Sequence, residues 1–153
     1  MKKHTAVILV LVLLLTACSY SNRQAGKNVD FSLEVDGRMR TWILHVPPLP
    51  ETNEPMPLLI VLHGGYGTGR KMQRSLNFDS YADQRGFYVA YPDAYQKTGE
   101  RNTARWNDGR GTLESSLQEI DDVHFIVEMI AEIGRNVALD VNRVYVTGAS
   151  NGG

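Results

Sequence analysis

The sequence predicts an α/β fold with a mainly parallel sheet and one antiparallel edge. Three observations carry this. Two alternating strands near the start are joined by a two-residue turn. Later apolar runs show no alternation, as in strands buried on both faces. Segments with apolar residues at helical spacing lie between those runs.

The elements follow in order. Val29–Val35 alternates apolar and polar residues with a period of two. Asp36-Gly37 is a strong hairpin turn pair. Trp42–Val46 is the second strand, and Pro47-Pro48 stops it. The stretch 47–57 holds five of the six prolines and reads as a surface loop. Leu58–Leu62 is an unbroken apolar strand, followed by Gly64, Gly65, Gly67 and Gly69 in a loop. Phe78–Arg85 is a short helix, with Tyr81 and Ala82 inward and Gly86 as its C-cap. Phe87–Tyr91 is the next strand, closed by Pro92; a long polar, Gly-rich loop around Trp106 covers 95–111. Ile120, Val123, Val127, Ile130, Ile133 and Val137 form one apolar helix face. Asp121 and Asp122 open that helix, where its dipole favours negative charge. Val144–Thr147 is the last strand.

Composition narrows the function classes. Of 153 residues, 42% are hydrophobic and 22% charged, a balance that excludes a disordered or fibrous chain. A net charge of −1 offers no basic field for nucleic acid. A single cysteine excludes an intrachain disulfide and a cysteine metal cluster. No metal or cofactor is expected.

Residues 1–17 read as a secretory signal. Lys2 and Lys3 precede an apolar run from Ala6 to Leu15, too short for the about 20 residues that span a bilayer. Leu15-Thr16-Ala17-Cys18 resembles the lipobox of bacterial lipoproteins. That resemblance implies cleavage before Cys18 and acylation of Cys18, hence a membrane partner through the lipid. Ser19 in place of aspartate implies the outer membrane in a Gram-negative host. The alternative is an ordinary signal peptide with an extracellular product. Removing 17 residues leaves 136 and takes the charge to −3. Residues 18–28 form the lipidated cysteine and a polar tether, and 29–153 the folded part.

The chemistry sits in Gly148-Ala149-Ser150-Asn151-Gly152, a G-x-S-x-G pentapeptide. Alone it is a weak signal, but it directly follows a strand, which is where a nucleophile elbow stands. The sharp turn lifts a serine hydroxyl above the sheet end and needs small residues on either side. Ser150 is the candidate nucleophile, and the Asn151 amide a candidate oxyanion donor. His63-Gly64-Gly65 ends the earlier buried strand and resembles the H-G-G motif that gives the other donor, the amide of Gly65, with that of Tyr66 as the alternative. His63 reads as a structural histidine holding its loop. The glycine cluster is no phosphate loop, since G-x-x-x-x-G-K-[ST] is lacking.

Five segments stand in order: Leu62-His63-Gly64-Gly65, Tyr91-Pro92-Asp93, Trp106-Asn107-Asp108-Gly109, Asp121-Asp122-Val123 and Arg143 to Gly153. Together they resemble the secreted polyhydroxybutyrate depolymerase and feruloyl esterase group of α/β-hydrolases, over nearly all of 29–153. The resemblance implies a serine esterase acting on hydroxyalkanoate esters, or on phenolic or acetyl esters of plant polysaccharides. It also implies a supporting role for Trp106 and Asn107. Two departures are visible. Gly65 stands where many members carry cysteine, and His124 where many carry glycine; His124 reads as a helix residue without catalytic duty.

The hydrolase triad runs Ser, Asp or Glu, then His. No acid or histidine follows Ser150 in this sequence. His45, His63 and His124 precede it, against the order of the fold. Without a base the hydroxyl is a poor nucleophile. The chain is therefore expected to be the N-terminal half of an α/β-hydrolase, cut at the nucleophile elbow, and inactive and poorly stable alone. Two further readings stand beside the esterase: a non-catalytic surface lipoprotein that binds a ligand, and a serine peptidase of the same fold.

Overall fold

The computed structural model describes residues 25–48, 54–96, 103–111 and 119–153. The signal segment, Cys18 and most of the tether lie outside the described residues. Five strands form one sheet in the order β1-β2-β4-β3-β5. They are β1 (Lys27–Val35), β2 (Arg38–Val46), β3 (Met56–Leu62), β4 (Tyr88–Pro92) and β5 (Leu139–Gly148). Among the described residues three α-helices accompany them: α1 (Gly69–Ser75), α2 (Phe78–Arg85) and α3 (Asp122–Asn136).

β1 and β2 pair antiparallel from Lys27↔Val46 to Val35↔Arg38. Asp36 and Gly37 both take positive φ, 51° and 69°, as a turn matching the strand twist requires. β2 also pairs antiparallel with β4, while β4–β3 and β3–β5 are parallel. The α/β class with an antiparallel edge is thus the observed one.

Alternation along the central strands builds two cores. Trp42, Leu44, Leu58, Ile60, Tyr88 and Ala90 face Phe125, Met129 and Ile133 of α3. Ile43, Val61, Val89 and Tyr91 face the other side, with Ala82 of α2. Both faces of the central strands are therefore covered, which is why their sequences show no polar alternation.

Several boundaries and orientations differ from the sequence reading. β3 starts at Met56, so Pro57 lies in a strand rather than the preceding loop. Pro57 fits because the β3–β5 register shifts between Met56 and Leu58, and proline is tolerated at such irregularities. α1 was not expected: Gly69 opens it, the Thr68 hydroxyl accepts from the Lys71 amide at 3.1 Å, and Asp93 accepts from the Gly69 amide at 2.7 Å. Tyr81 points outward, 54% exposed, whereas Ala82 is buried. Asp79 and Asp83 turn toward His45 on β2, at 3.5 and 2.8 Å, which puts Tyr81 on the opposite side of α2.

The same correction applies to α3. Val123 and Val127 are 76% and 55% exposed. Its buried line is Asp122, Phe125, Met129 and Ile133. Ile120 is buried, and Ile130 and Val137 pack against the core. The helix is apolar over a wide arc, and a buried ion pair decides which part turns inward. Arg40 of β2 binds Asp122 at 2.6 Å, with both side chains almost fully enclosed. Residues three, seven and eleven positions after Asp122 follow it inward. β5 runs along the edge of the described sheet with Val141, Tyr145 and Val146 exposed.

This orientation predicts a contrast within one helix. Phe125→Ala is expected to lower stability in urea unfolding by about 3–5 kcal/mol. Val127→Ala is expected to stay within about 0.5 kcal/mol. Comparable losses for both would mean that the sequence-derived stripe is the buried one.

Candidate active site

β5 ends at Gly148, and the chain turns at once into a single 3-10 turn, Ser150–Gly152. Ser150 has φ +53°. A non-glycine residue in the left-handed region costs on the order of 1–3 kcal/mol, so its surroundings must impose it. Three backbone bonds do so. The Ala149 amide donates to Leu62 O at 3.2 Å, Gly152 to Ala149 O at 2.9 Å and Gly153 to Ser150 O at 2.9 Å. The flanking glycines are sterically required. A Cβ on Gly148 would sit 1.9 Å from Gly152 O, and one on Gly152 would sit 2.5 Å from His63 O.

The parallel register Leu62↔Gly148 brings the His63-Gly64-Gly65-Tyr66 loop beside this turn. A Cβ on Gly64 would lie 3.2 Å from Ala149 O. Tyr66 has φ +65°, and its amide donates to Ala104 O at 2.8 Å. Among the described residues the amides of Gly65 and Asn151 donate to nothing. A cleft of about 500 Å³ opens between them, lined by Gly65, Tyr66, Arg105, Arg110, Ser150 and Asn151.

Trp106 and Asn107 bracket the elbow from behind. The Trp106 amide donates to Asn151 Oδ1 at 2.8 Å, and Asn151 Nδ2 donates back to Trp106 O at 3.2 Å. The Trp106 indole N–H donates to His63 O at 2.7 Å. Asn107 donates its amide to Asp122 Oδ2 at 2.6 Å and its side chain to Ile120 O at 2.7 Å. Trp106 thus ties the loop after β3 to the residue after Ser150, and Asn107 ties that bracket to α3.

His63 is fully buried, stacked obliquely on Trp106 with ring centroids 5.1 Å apart. Its Nε2 accepts from the Ala94 amide at 3.0 Å, so Nδ1 carries the proton and donates to Gly64 O at 2.7 Å. Burial lowers its pKa below the ordinary 6.5, against the opposing pull of the Gly64 carbonyl and of Asp93 and Asp122. His45 is held by Asn28 and Asp83. His124 is exposed and bonds Asp36 at 3.0 Å, which raises its pKa. The structure therefore gathers Ser150, Gly65, Tyr66, Asn151, Trp106, Asn107 and His63 in one place. It leaves His45 and His124 outside that group.

The sequence reading missed four residues of this neighbourhood. Asp122 lies in a quoted motif but reads there only as a helix-dipole partner. Arg40 carries no local signal. Arg105 and Arg110 flank the quoted Trp106 segment, and their cationic pairing beside it is the signal that could have found them.

His63 and His124 titrate in opposite senses. Below pH 6.5 the unfolded chain takes up a proton that folded His63 resists. Its contribution to stability is therefore complete above that pH and falls as pH drops toward the folded value. The His124 contribution is present below 6.5 and lost as pH rises through its elevated folded value. At pH 6.5, ring ¹⁵N shifts are expected to show His63 mostly as the neutral Nδ1–H tautomer and His124 mostly as imidazolium. A mostly charged His63 at that pH would overturn the assignment.

Residues 40–153 match the model of the family described as Esterase PHB depolymerase. Over 120 residues the chain is 29% identical to the "Putative esterase NocK" of Nocardia uniformis subsp. tsuyamanensis, covering 78% of this chain and 33% of that one. Over 97 residues it is 28% identical to the bifunctional acetylxylan esterase/xylanase XynS20E of Neocallimastix patriciarum, covering 63% of this chain and 12% of that one. The chain thus spans a third or less of the length of these curated relatives. An S-formylglutathione hydrolase from Agrobacterium tumefaciens superposes with a TM-score of 0.66 at 22% identity, over 84% of this chain and 50% of that one. That likeness is one of fold, the α/β-hydrolase fold. With the family model covering 40–153, the chain belongs to the Esterase PHB depolymerase family.

Proposed function

We propose that this chain carries the nucleophile and the oxyanion site of a serine carboxylic-ester hydrolase. The observation that carries the reading is Ser150 in a left-handed backbone at the end of β5, in a cleft flanked by two uncommitted amides. The Ser150 hydroxyl adds to the ester carbonyl carbon, and its proton passes to a base. The carbonyl oxygen becomes an oxyanion held by the amides of Gly65 and Asn151. Collapse expels the alcohol, which takes the proton, and water then releases the acid from the acyl-serine. Gly65 is preferred to Tyr66 because the Tyr66 amide is committed to Ala104. Trp106 and Asn107 position the Asn151 amide, and His63 holds its loop.

None of the described histidines suits the base. Both ring nitrogens of His63 are engaged, His45 is enclosed between Asn28 and Asp83, and His124 pairs with Asp36. The base is assigned to the position the fold reserves for it, after the nucleophile in chain order and preceded by an acid. Hydroxyalkanoate esters, or phenolic or acetyl esters on polysaccharide, are the proposed substrates. The family and the acetylxylan esterase relative support that class. In the whole protein, Ser150→Ala is expected to reduce kcat on 4-nitrophenyl butyrate about a thousandfold or more, with KM nearly unchanged. A loss under tenfold would place the chemistry elsewhere.

Cys18 is proposed as a lipid anchor on the strength of the lipobox-like Leu15-Thr16-Ala17-Cys18 and the absence of any other cysteine in the sequence. Each buried CH₂ adds about 0.8 kcal/mol, so multiple acyl chains would hold the protein at a membrane. Labelled palmitate is expected to enter the wild type and not Cys18→Ser. Equal labelling of both would exclude Cys18.

A further inference from the structure

Two arginines line the cleft beside Ser150, and among the described residues no acidic one does. They differ in how their charge is met. Arg110 is neutralised: its Nε donates to Asp108 at 2.9 Å, and a second nitrogen pairs with the same carboxylate. Arg105 has no carboxylate partner among the described residues. Its guanidinium lies over the Tyr66 ring, 4.0 Å from the centroid. The Tyr66 amide bond to Ala104 O, at 2.8 Å, aligns the two residues for that stacking. Arg105 Nε also lies 3.7 Å from where a Cβ of Gly65 would be, and Asn151 Cβ lies 3.9 Å from the same point. The guanidinium is thus held beside Gly65, the proposed oxyanion donor, in the cleft that Asn151 and Ser150 also line.

A stacked guanidinium keeps its N–H donors free in its own plane, and that planar fork matches a carboxylate. Stacking on a ring costs the side chain its rotamer freedom before any ligand arrives, so less is lost on binding. The contrast with the rest of the molecule is sharp, since the chain as a whole is slightly acidic. We propose that Arg105 is a specificity residue for a free carboxylate on the substrate. The cleft would then prefer ester substrates that carry an acid group, such as the acid end of a hydroxyacid oligomer, over neutral esters of the same size. This rests on the serine-esterase reading of the same cleft.

The test separates binding from chemistry. The probes are the linear dimer of 3-hydroxybutyrate as the free acid and as its methyl ester, titrated by calorimetry into the whole protein at low salt. The free acid is expected to bind at least about tenfold more tightly, a preference that shrinks in 0.5 M salt. Arg105→Met is expected to abolish the preference and Arg105→Lys to keep part of it. Arg110→Met and Ser150→Ala are expected to retain it. Equal binding of the two compounds, no binding of either, or a preference surviving in Arg105→Met would overturn the proposal. Should Arg105→Met not fold, an undiminished preference in Arg105→Lys at high salt would overturn it as well. A preserved binding preference in a whole protein without ester turnover would instead sink the esterase reading alone.

Discussion

The buried pair between Arg40 and Asp122 is the constraint on which the rest of this structure depends. The two residues are 82 positions apart, and their side chains meet at 2.6 Å, almost fully enclosed. Taking two charges out of water is costly, and such a pair is tolerable only with further polar contacts around it. Arg40 also donates to Asp93 O at 3.3 Å and lies 3.9 Å over the Phe125 ring, while Asp122 accepts from the Asn107 amide. The ion pair therefore sets the rotation of α3 and anchors the Trp106-Asn107 bracket. Through Trp106 it reaches Asn151, the neighbour of Ser150.

That connection explains which parts of the molecule were legible in the sequence. Signals that are local and steric came through. Asp36-Gly37 predicts its turn because only residues tolerant of positive φ close it, and Gly86 caps α2 at φ +73° for the same reason. Gly148 and Gly152 flank Ser150 because any larger residue collides with backbone. The central strands read as doubly buried because both of their faces are covered. The α/β class follows from these alone, while the hydrolase fold needed the ordered motifs beside them.

What stayed hidden depends on long-range polar contacts. The apolar periodicity of α3 fits two rotations, and it cannot choose between a line through Val123 and one through Phe125. The choice is made by a charge on β2 that no window on the helix contains. Tyr81 fails likewise, because Asp79 and Asp83 claim the inward side of α2 to meet His45. α1 was missed because its start depends on Asp93, 24 residues downstream, accepting from the Gly69 amide. Arg105 carries no local signal of its own, because an arginine stacked on a ring reads in the sequence like any surface arginine in a polar loop.

The proposed oxyanion site adds a last step. Ser150 and Tyr66 both sit in the left-handed region, one on each side of the cleft. Each strained residue turns an amide: Ser150 aims that of Asn151, and the Tyr66 turn leaves that of Gly65 open while its own is bound to Ala104. Donors held in this way need not reorient as negative charge develops, which is where such sites gain most over water. The strain is held by the parallel β3–β5 register, the Leu62–Ala149 bond and the Trp106 bracket. None of these is a reacting group. On the proposed esterase reading, polarisation of the carbonyl is built into the backbone at this end of the sheet, separately from the base that must draw the proton from Ser150. The rigidity of that backbone traces back to a salt bridge on the far side of Trp106.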